Sequence, residues 1–441
     1  MQKKFLITFV VVNFLLSCFY IDTWDNGSTT SRMLSVMYAV QEGTFIIDKQ
    51  HERTVDKSII NGHFYSEKPP LQVFLTIPFY KLLMLFGYEE DGKGTAIYIL
   101  GSIVCGIIPF LIILTLCFTA AKENKSISPV LLSMLPMYGS YIFIYSSSFY
   151  NHILSALLVL LSYLFIKKNN HFLAGLFIGL GFLSEFIIAV VILVWAIQLF
   201  LKIKNYRTVL LYCLGVAPSA IIILVYNFFI TGSMFTIVYK FHVTPHLHSN
   251  YAFSFPTPES LGGLTFGLYR GLFFFAPFLI LFLFYLIKKY STLSLRKLLP
   301  SYSGMASVSV ILAISSYYGW WGGWAYGPRM ILFIAALLTY KGIQFLASHE
   351  FSRLFFWIFC GLGFICALAA KITVLYSIPT EAKYPFTDVI IPAIRDSNFN
   401  SSNILSLFFG VSPSISALVW IFIFIAGTAF LFLYNKKTIA V

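Results

Sequence analysis

Charge is what this sequence has least of. Asp, Glu, Lys and Arg together make up 11% of its 441 residues, where soluble domains carry roughly 25%. Hydrophobic residues reach 59% and mean hydropathy is +0.83, which excludes water as the main solvent of this fold. Cysteine is scarce as well. All six (Cys18, Cys105, Cys117, Cys213, Cys360 and Cys366) fall inside or at the ends of apolar runs, and no CxxC occurs. That excludes a disulfide framework and a thiolate metal site. No internal repeat and no inverted symmetry of hydropathy is visible, which argues against a secondary transporter. Acid is scarcer than base, and the net charge of +13 could suggest nucleic acid. The bases sit elsewhere, however: Lys167-Lys168, Lys202, Lys204 and Arg207, Lys288-Lys289 with Arg296-Lys297, and Lys436-Lys437 all flank apolar runs. They read as cytoplasmic anchors with an attraction to anionic lipid, and no nucleic-acid partner is expected.

What is abundant is apolar sequence in stretches able to cross a bilayer, about 20 residues each. Spans are predicted at 5–21, 71–87, 96–119, 128–146, 153–166, 208–230, 271–288, 303–317, 330–347, 354–376 and 414–434. The run 172–203 accommodates two short helices meeting near Ser184-Glu185. The fold class is therefore all-α: a polytopic membrane protein of about twelve or thirteen transmembrane helices, one domain over 1–441, with no soluble C-terminal domain expected. Lys3-Lys4 before the first run imitates a signal peptide, but no small-x-small cleavage site precedes Asp22, so an uncleaved first helix is expected. The two lysines place the N-terminus in the cytoplasm and the loop 22–68 on the outer, periplasmic face of the inner (cytoplasmic) membrane. Two rules conflict further on. Lys122 and Lys125 favour the inner side for 120–127, while strict alternation from Lys68 puts that loop outside.

Three polar stretches interrupt the spans: 22–68, about 231–270, and about 377–413. In the first, Met33, Val36, Met37 and Val40 recur at helical spacing. Ser28 is placed to cap that helix and Gly43 to end it. A helix lying in the membrane interface with Arg32 near the head groups, and a surface helix packed on neighbouring spans, both fit the pattern.

Charges beside apolar spans cost about 2.5–3.5 kcal/mol each on insertion scales, so those that persist are candidates for function. Lys68 stands before Pro69-Pro70 at a predicted helix start, as a snorkelling anchor or as a contact for a lipid phosphate. Around Arg329, the segment from Tyr317 to Arg329 packs three Trp and three Tyr among four Gly. A tight loop presenting backbone and aromatic faces to a sugar explains this better than an aromatic belt does. Arg270 opens a similar Gly-rich turn, and Glu185 interrupts an apolar run as a packed acid or a site residue. His242, His246 and His248 invite a zinc hypothesis, but no acid or Cys lies close by in sequence, so no metal site is expected there.

These segments resemble the C-type glycosyltransferase superfamily, integral-membrane enzymes using lipid-phosphate-linked sugars. The nearest branch is similar to the bacterial relatives of protein O-mannosyltransferases and of the aminoarabinose transferase of lipid A. The likeness rests on Ser31-Arg32, the stretch from Gly43 to Asp48, Asp56-Lys57 and the stretch from Asn61 to Leu71, where Tyr65 to Leu71 matches the family's tyrosine-x-x-lysine-proline-proline-leucine entry. Weaker matches follow at Tyr150 to His152, Leu183 to Glu185, Tyr269 to Phe273 and Gly322 to Arg329. The resemblance implies transfer of a sugar from a polyprenyl-phosphate donor to an acceptor hydroxyl on a glycan, lipid or protein. Inversion would proceed with an aspartate as general base. Lys68 and Arg329, with Arg32 or Arg270, would hold the phosphate. Tyr65, His63, Trp324, Tyr326, Glu185 and His152 would bind substrate. No cofactor beyond the lipid-linked donor is implied, and the need for a divalent metal is left open. One departure stands out: where the family places its aspartate, three residues before the arginine, this chain has Thr29. Asp25 is then the first choice of base and Asp56 the second, with Asp48 and Asp22 behind. The rival readings are a lipid-linked sugar flippase or small-solute transporter, and a polysaccharide polymerase or ligase. The latter typically relies on a later loop rich in Arg and His, and here the first loop is the most charged.

Overall fold

The computed structural model describes residues 2–124, 126–244, 253–290 and 301–439. Backbone polar groups in lipid must be satisfied within the chain, and helices do this almost throughout. Helix α1 (Gln2–Cys18) leads into the first loop, which holds α2 (Gly27–Gln41) and is followed by α3 (Leu71–Leu85). Then come α4 (Thr95–Ala121), α5 (Pro129–Tyr138), α6 (His152–Lys167), α7 (His171–Ser184), α8 (Ile188–Ile203) and α9 (Tyr206–Thr231). The C-terminal part carries α10 (Phe278–Tyr290), α11 (Tyr302–Ser315), α12 (Leu332–Ala347), α13 (Arg353–Ile372) and α14 (Pro413–Ile439). Five of these stretches are long and apolar enough to cross a membrane. Seven shorter apolar helices and α1 accompany them among the described residues. The run 172–203 does divide at Glu185, which caps α7.

The helices alternate between two ends of the bundle. Phe5 near the start of α1 touches Phe118 near the end of α4 and Tyr434 near the end of α14, with ring centroids 5.5 Å apart in both pairs. Asn124 donates to the carbonyl of Leu346 at this same end. At the other end Asp22 N–H meets Ser147 O, and Tyr98 of α4 reaches Asp25. Helix α3 breaks the alternation. Its Tyr80 hydroxyl donates to Glu90 and accepts from Gln41, and Arg53 binds the carbonyls of Gly92 and Lys93, so the chain beyond α3 returns to the first-loop end. The segment 71–87 packs along α2 instead of crossing, and Lys122 therefore lies at the end opposite Lys68. The conflict between Lys122 and the alternation rule came from counting α3 as a span; Lys125 is outside the described residues.

Small residues let the closest helices meet. A Cβ on Gly175 of α7 would lie 1.9 Å from Tyr212 O of α9, and one on Gly215 of α9 would lie 2.1 Å from Phe172 O.

The first loop departs from a purely helical reading. Strands β1 (Lys57–Ile60) and β2 (His63–Ser66) form an antiparallel hairpin with Ile60 opposite His63. Asn61 and Gly62 turn it with φ of 52° and 85°, the two positive values that favour Asn-Gly in such turns. Helix α2 is capped by Asn26, two residues before the expected Ser28, and its residues from Ser28 to Tyr38 are buried. Arg32 is 1% exposed, so α2 is a packed helix and does not hold its arginine at the head groups.

Candidate active site

At the first-loop end, Lys68 Nζ lies 2.8 Å from Asp56 Oδ2 and 2.5 Å from Glu67 Oε1. The hairpin delivers both partners: Asp56 precedes β1 and Glu67 follows β2, so antiparallel pairing of Lys57 with Ser66 brings them together. Ser31 Oγ of α2 donates to Asp56 O and to Ser66 Oγ, fastening the pair to the helix. The Asp56 carboxylate rests against Gly27, where a Cβ would stand 3.1 Å from its Cγ. His242 Nε2 is 3.0 Å from Glu67 Oε2, held by a bridge between Ser58 and His242.

Burial works to raise the Asp56 pKa, but Lys68 and Arg329 together hold it below the usual carboxylate range. Glu67 goes the other way: burial, reinforced by the Asp56 charge, pushes it up to about 7 despite Lys68. Burial tends to discharge Lys68, yet the two acids keep it more basic than usual. Asp56 is thus the firmly ionised acid of the pair.

Arg329 comes from the far side of the sequence. Its guanidinium lies over the Tyr150 ring, 5.0 Å from the centroid. Gly322 and Gly323, with φ of 75° and 69°, wrap it, and a Cβ on Gly322 would be 3.2 Å from Arg329 Cγ. The Gly-rich loop read from sequence is a sleeve for this arginine. Behind Tyr150, His152 stacks on it at 5.5 Å, and His152 Nδ1 is 3.4 Å from Glu185 Oε1. His152 and Glu185, both buried, brace the ring beneath Arg329. Arg32 donates to Ser28 O, Ser28 Oγ and Asn151 Oδ1, within electrostatic reach of Asp56 and Arg329.

Other expected residues fall elsewhere. Asp25 is gripped by both nitrogens of an Arg53 fork at 2.8 Å and accepts from Tyr98 at 2.9 Å. It lines a separate cavity of about 560 Å³ with Gln50, Arg53, Lys93 and Thr95. Burial opposes ionisation of Asp25, but Arg53 and Tyr98 keep its pKa low. Arg270, 0% exposed, gives its donors to the carbonyls of Tyr269, Trp321, Gly323 and Ile378. It staples the Arg329 loop to the segment after α13. His63 pairs with Asp48 at 2.7 Å on the exposed hairpin tip. Tyr65 packs with Ile60, Tyr226 and Phe241. Tyr326 is buried beside Phe275, and Trp324 is 59% exposed on the same loop. Of the three clustered histidines, His242 joins the acids, while His246 and His248 lie outside the described residues.

Sequence reading does not single out Asn26, Tyr376 or Lys371. Tyr376 donates to Asp22 Oδ2 at 2.5 Å and accepts from Asn26 Nδ2 and Trp24 Nε1, while Asn26 accepts from Tyr150. Burial pushes Asp22 up to about 7. Lys371 binds Ser147 Oγ at 2.6 Å. A lone lysine inside an apolar run was the signal for it.

Asp56, Glu67 and His242 place one ligand atom each within 4.8 Å of one another, a carboxylate and imidazole set that suits a divalent cation. Lys68 already supplies positive charge between the two acids, so a cation there would require Lys68 to swing away.

Neither a known family profile nor any curated protein matches the sequence. Two solved structures do. ArnT from Cupriavidus metallidurans in the apo state aligns with a TM-score of 0.49 at 13% identity, covering 98% of this chain and 76% of that one. The archaeal oligosaccharyltransferase AglB from Archaeoglobus fulgidus, in complex with an inhibitory peptide and a dolichol-phosphate, aligns with a TM-score of 0.51 at 14% identity, covering 86% of this chain and 56% of that one. At such identities the likeness concerns the fold alone: over 86% of its length this chain shares a polytopic helical membrane fold with the archaeal oligosaccharyltransferase.

Proposed function

We propose that the chain transfers a sugar from a polyprenyl-phosphate donor to an acceptor hydroxyl at the outer face of the membrane, with inversion. The observation that carries this reading is the balance of charge at the first-loop end. Three cations from distant positions, Arg32, Lys68 and Arg329, gather around one firmly ionised carboxylate, Asp56. Such an excess suits an anion, and phosphate is the anion that a Lys point charge and an Arg fork hold well. That AglB, of the same fold, was captured with dolichol-phosphate supports a lipid-linked donor. Orientation follows from the bases: the ends of α1, α4, α6, α8 and α14 carrying Lys3, Lys4, Lys122, Lys167, Lys202 and Lys436 lie opposite the first loop. By the positive-inside rule that end is cytoplasmic, in keeping with the inner membrane.

The geometry favours Asp56 over Asp25 as base, because Asp56 borders the cations and Asp25 is occupied by Arg53. Asp56 takes the proton of the acceptor hydroxyl as its oxygen attacks the anomeric carbon. The bond to the phosphate oxygen breaks, and the charge left there is met by Lys68 and Arg329. Detergent-purified protein supplied with a panel of polyprenyl-phosphate sugars should release polyprenyl phosphate and glycosylate an added hydroxyl acceptor. Translocation of a lipid-linked sugar in proteoliposomes without any transfer would replace this reading with a flippase.

A further inference from the structure

The larger of the two described cavities lies away from this site, running from the end that carries the basic clusters. It measures about 1090 Å³, just above the range of about 300–1,000 Å³ usual for small-molecule sites. Helix α12 forms its floor. Helices α10 and α11 both pack on α12 but make no sustained contact with each other among the described residues, which leaves a lengthwise seam. Leu279, Phe282, Leu286, Val308, Ile311 and Leu338 line it. At its mouth three lysines converge from three helices: Lys167 of α6, Lys202 of α8 and Lys341 of α12. Glu123 is the one carboxylate among the lining residues, so the mouth stays net positive. Lysines that only anchor helices fan outward from helix ends. Lys341 instead sits inside α12, partly buried, with its ammonium on Gln344 Oε1 at 2.9 Å and beside the Tyr163 ring. Lys202 lies over the Tyr302 ring at 4.3 Å, and Ser301, Ser348 and His349 add donors at the same mouth.

A cationic mouth opening on an apolar seam matches one kind of molecule. A soluble phosphate would leave the seam unused, and a neutral lipid would leave the lysines unused. We propose that this cavity binds an anionic glycerophospholipid of the surrounding membrane, its phosphate among Lys167, Lys202 and Lys341 and one acyl chain along the seam. The site depends only on the membrane-embedded fold and stands whether or not the opposite end transfers a sugar.

The test uses the full chain in a neutral detergent, with dioleoyl phosphatidylglycerol and dioleoyl phosphatidylcholine as matched probes, read by thermal shift and native mass spectrometry. Phosphatidylglycerol should bind and raise Tm, and phosphatidylcholine should not. Lys167→Gln, Lys202→Gln and Lys341→Gln together should weaken phosphatidylglycerol binding roughly tenfold or more. Lys341→Gln alone serves if the triple variant does not fold. Ile311→Trp, which fills the seam and leaves every lysine in place, should abolish binding, separating a built site from general surface charge. Equal binding of the two lipids, or wild-type binding by Ile311→Trp, would overturn the proposal. Displacement of phosphatidylglycerol by a lower concentration of polyprenyl phosphate would overturn the choice of ligand.

Discussion

Replacing Lys68 with Ala removes the one cation that touches both acids of the site, and the size of its effect can be worked out in advance. In the resting protein the ammonium stands 2.8 Å from Asp56 and 2.5 Å from Glu67. In the proposed transfer reaction the same group would meet the departing phosphate. A charge-assisted hydrogen bond contributes about 1.5–3 kcal/mol, which corresponds to a loss of roughly tenfold to over a hundredfold in kcat/KM. A second effect could mimic this one. Stripping the partner from a buried acid costs stability, up to about 3–5 kcal/mol for a fully buried pair, although Glu67 can relieve much of it by protonating. The Glu67→Gln/Lys68→Ala double variant separates the two. It leaves only Asp56 without the ammonium, so it should melt above Lys68→Ala and below wild type, yet it should remain as inactive as Lys68→Ala. The assay is release of polyprenyl phosphate by purified protein in the presence of a chelator, since loss of Lys68 would let a divalent cation take its place among Asp56, Glu67 and His242. Lys68→Arg should restore part of the rate. Wild-type turnover in Lys68→Ala, or full recovery of activity in the double variant, would refute the phosphate role.

Asp56→Asn should abolish transfer while donor binding, followed by a labelled polyprenyl phosphate, survives. Asp25→Asn should keep most activity and instead lower Tm by loosening the Arg53 fork; a dead Asp25→Asn with an active Asp56→Asn would exchange the two roles. Glu67, with its pKa raised to about 7, is neutral below that pH and charges as pH rises through it. The new negative charge beside Lys68 should raise the donor KM above pH 7 in wild type and leave Glu67→Gln flat over the same range. Arg270→Gln should reduce expression and Tm through loss of the carbonyl staple, and any protein recovered should bind donor normally, unlike Arg329→Ala.

The helical membrane fold was legible because lipid leaves the chain few ways to satisfy its backbone, so long apolar runs map onto helices almost one to one. The exception, α3, is as apolar as its neighbours. Only the contacts of Tyr80 and Arg53, invisible to hydropathy, show that it turns back. At the site, Lys68 and Arg329 were legible from their local settings, a Pro-Pro helix start and a glycine sleeve. Local sequence ranks Asp25 ahead of Asp56 but does not show their partners, since both stand in the same charged loop and only the fold sets Asp25 on Arg53 and Asp56 on Lys68. The acid and histidine cluster was hidden for a related reason. His242 has no acid near it in sequence, and Glu67 reaches it across some 170 positions through a strand pairing. Asn61-Gly62 was the local sign that such a hairpin existed.

That hairpin also limits how the protein can change over time. Lys57 O accepts from Val243 N–H and Ser58 Oγ donates to Val238 O, so a second segment is laced to β1 by one main-chain and one side-chain bond as well as by His242. In a pleated strand a slip of one residue sends every side chain to the opposite face. A single insertion between Asp56 and Ile60 would therefore disengage Asp56, Lys68 and His242 together. Changes of chain length compatible with this cluster must therefore fall outside the whole stretch from Asp56 to Lys68, hairpin tip included, so that the spacing between the two stays constant.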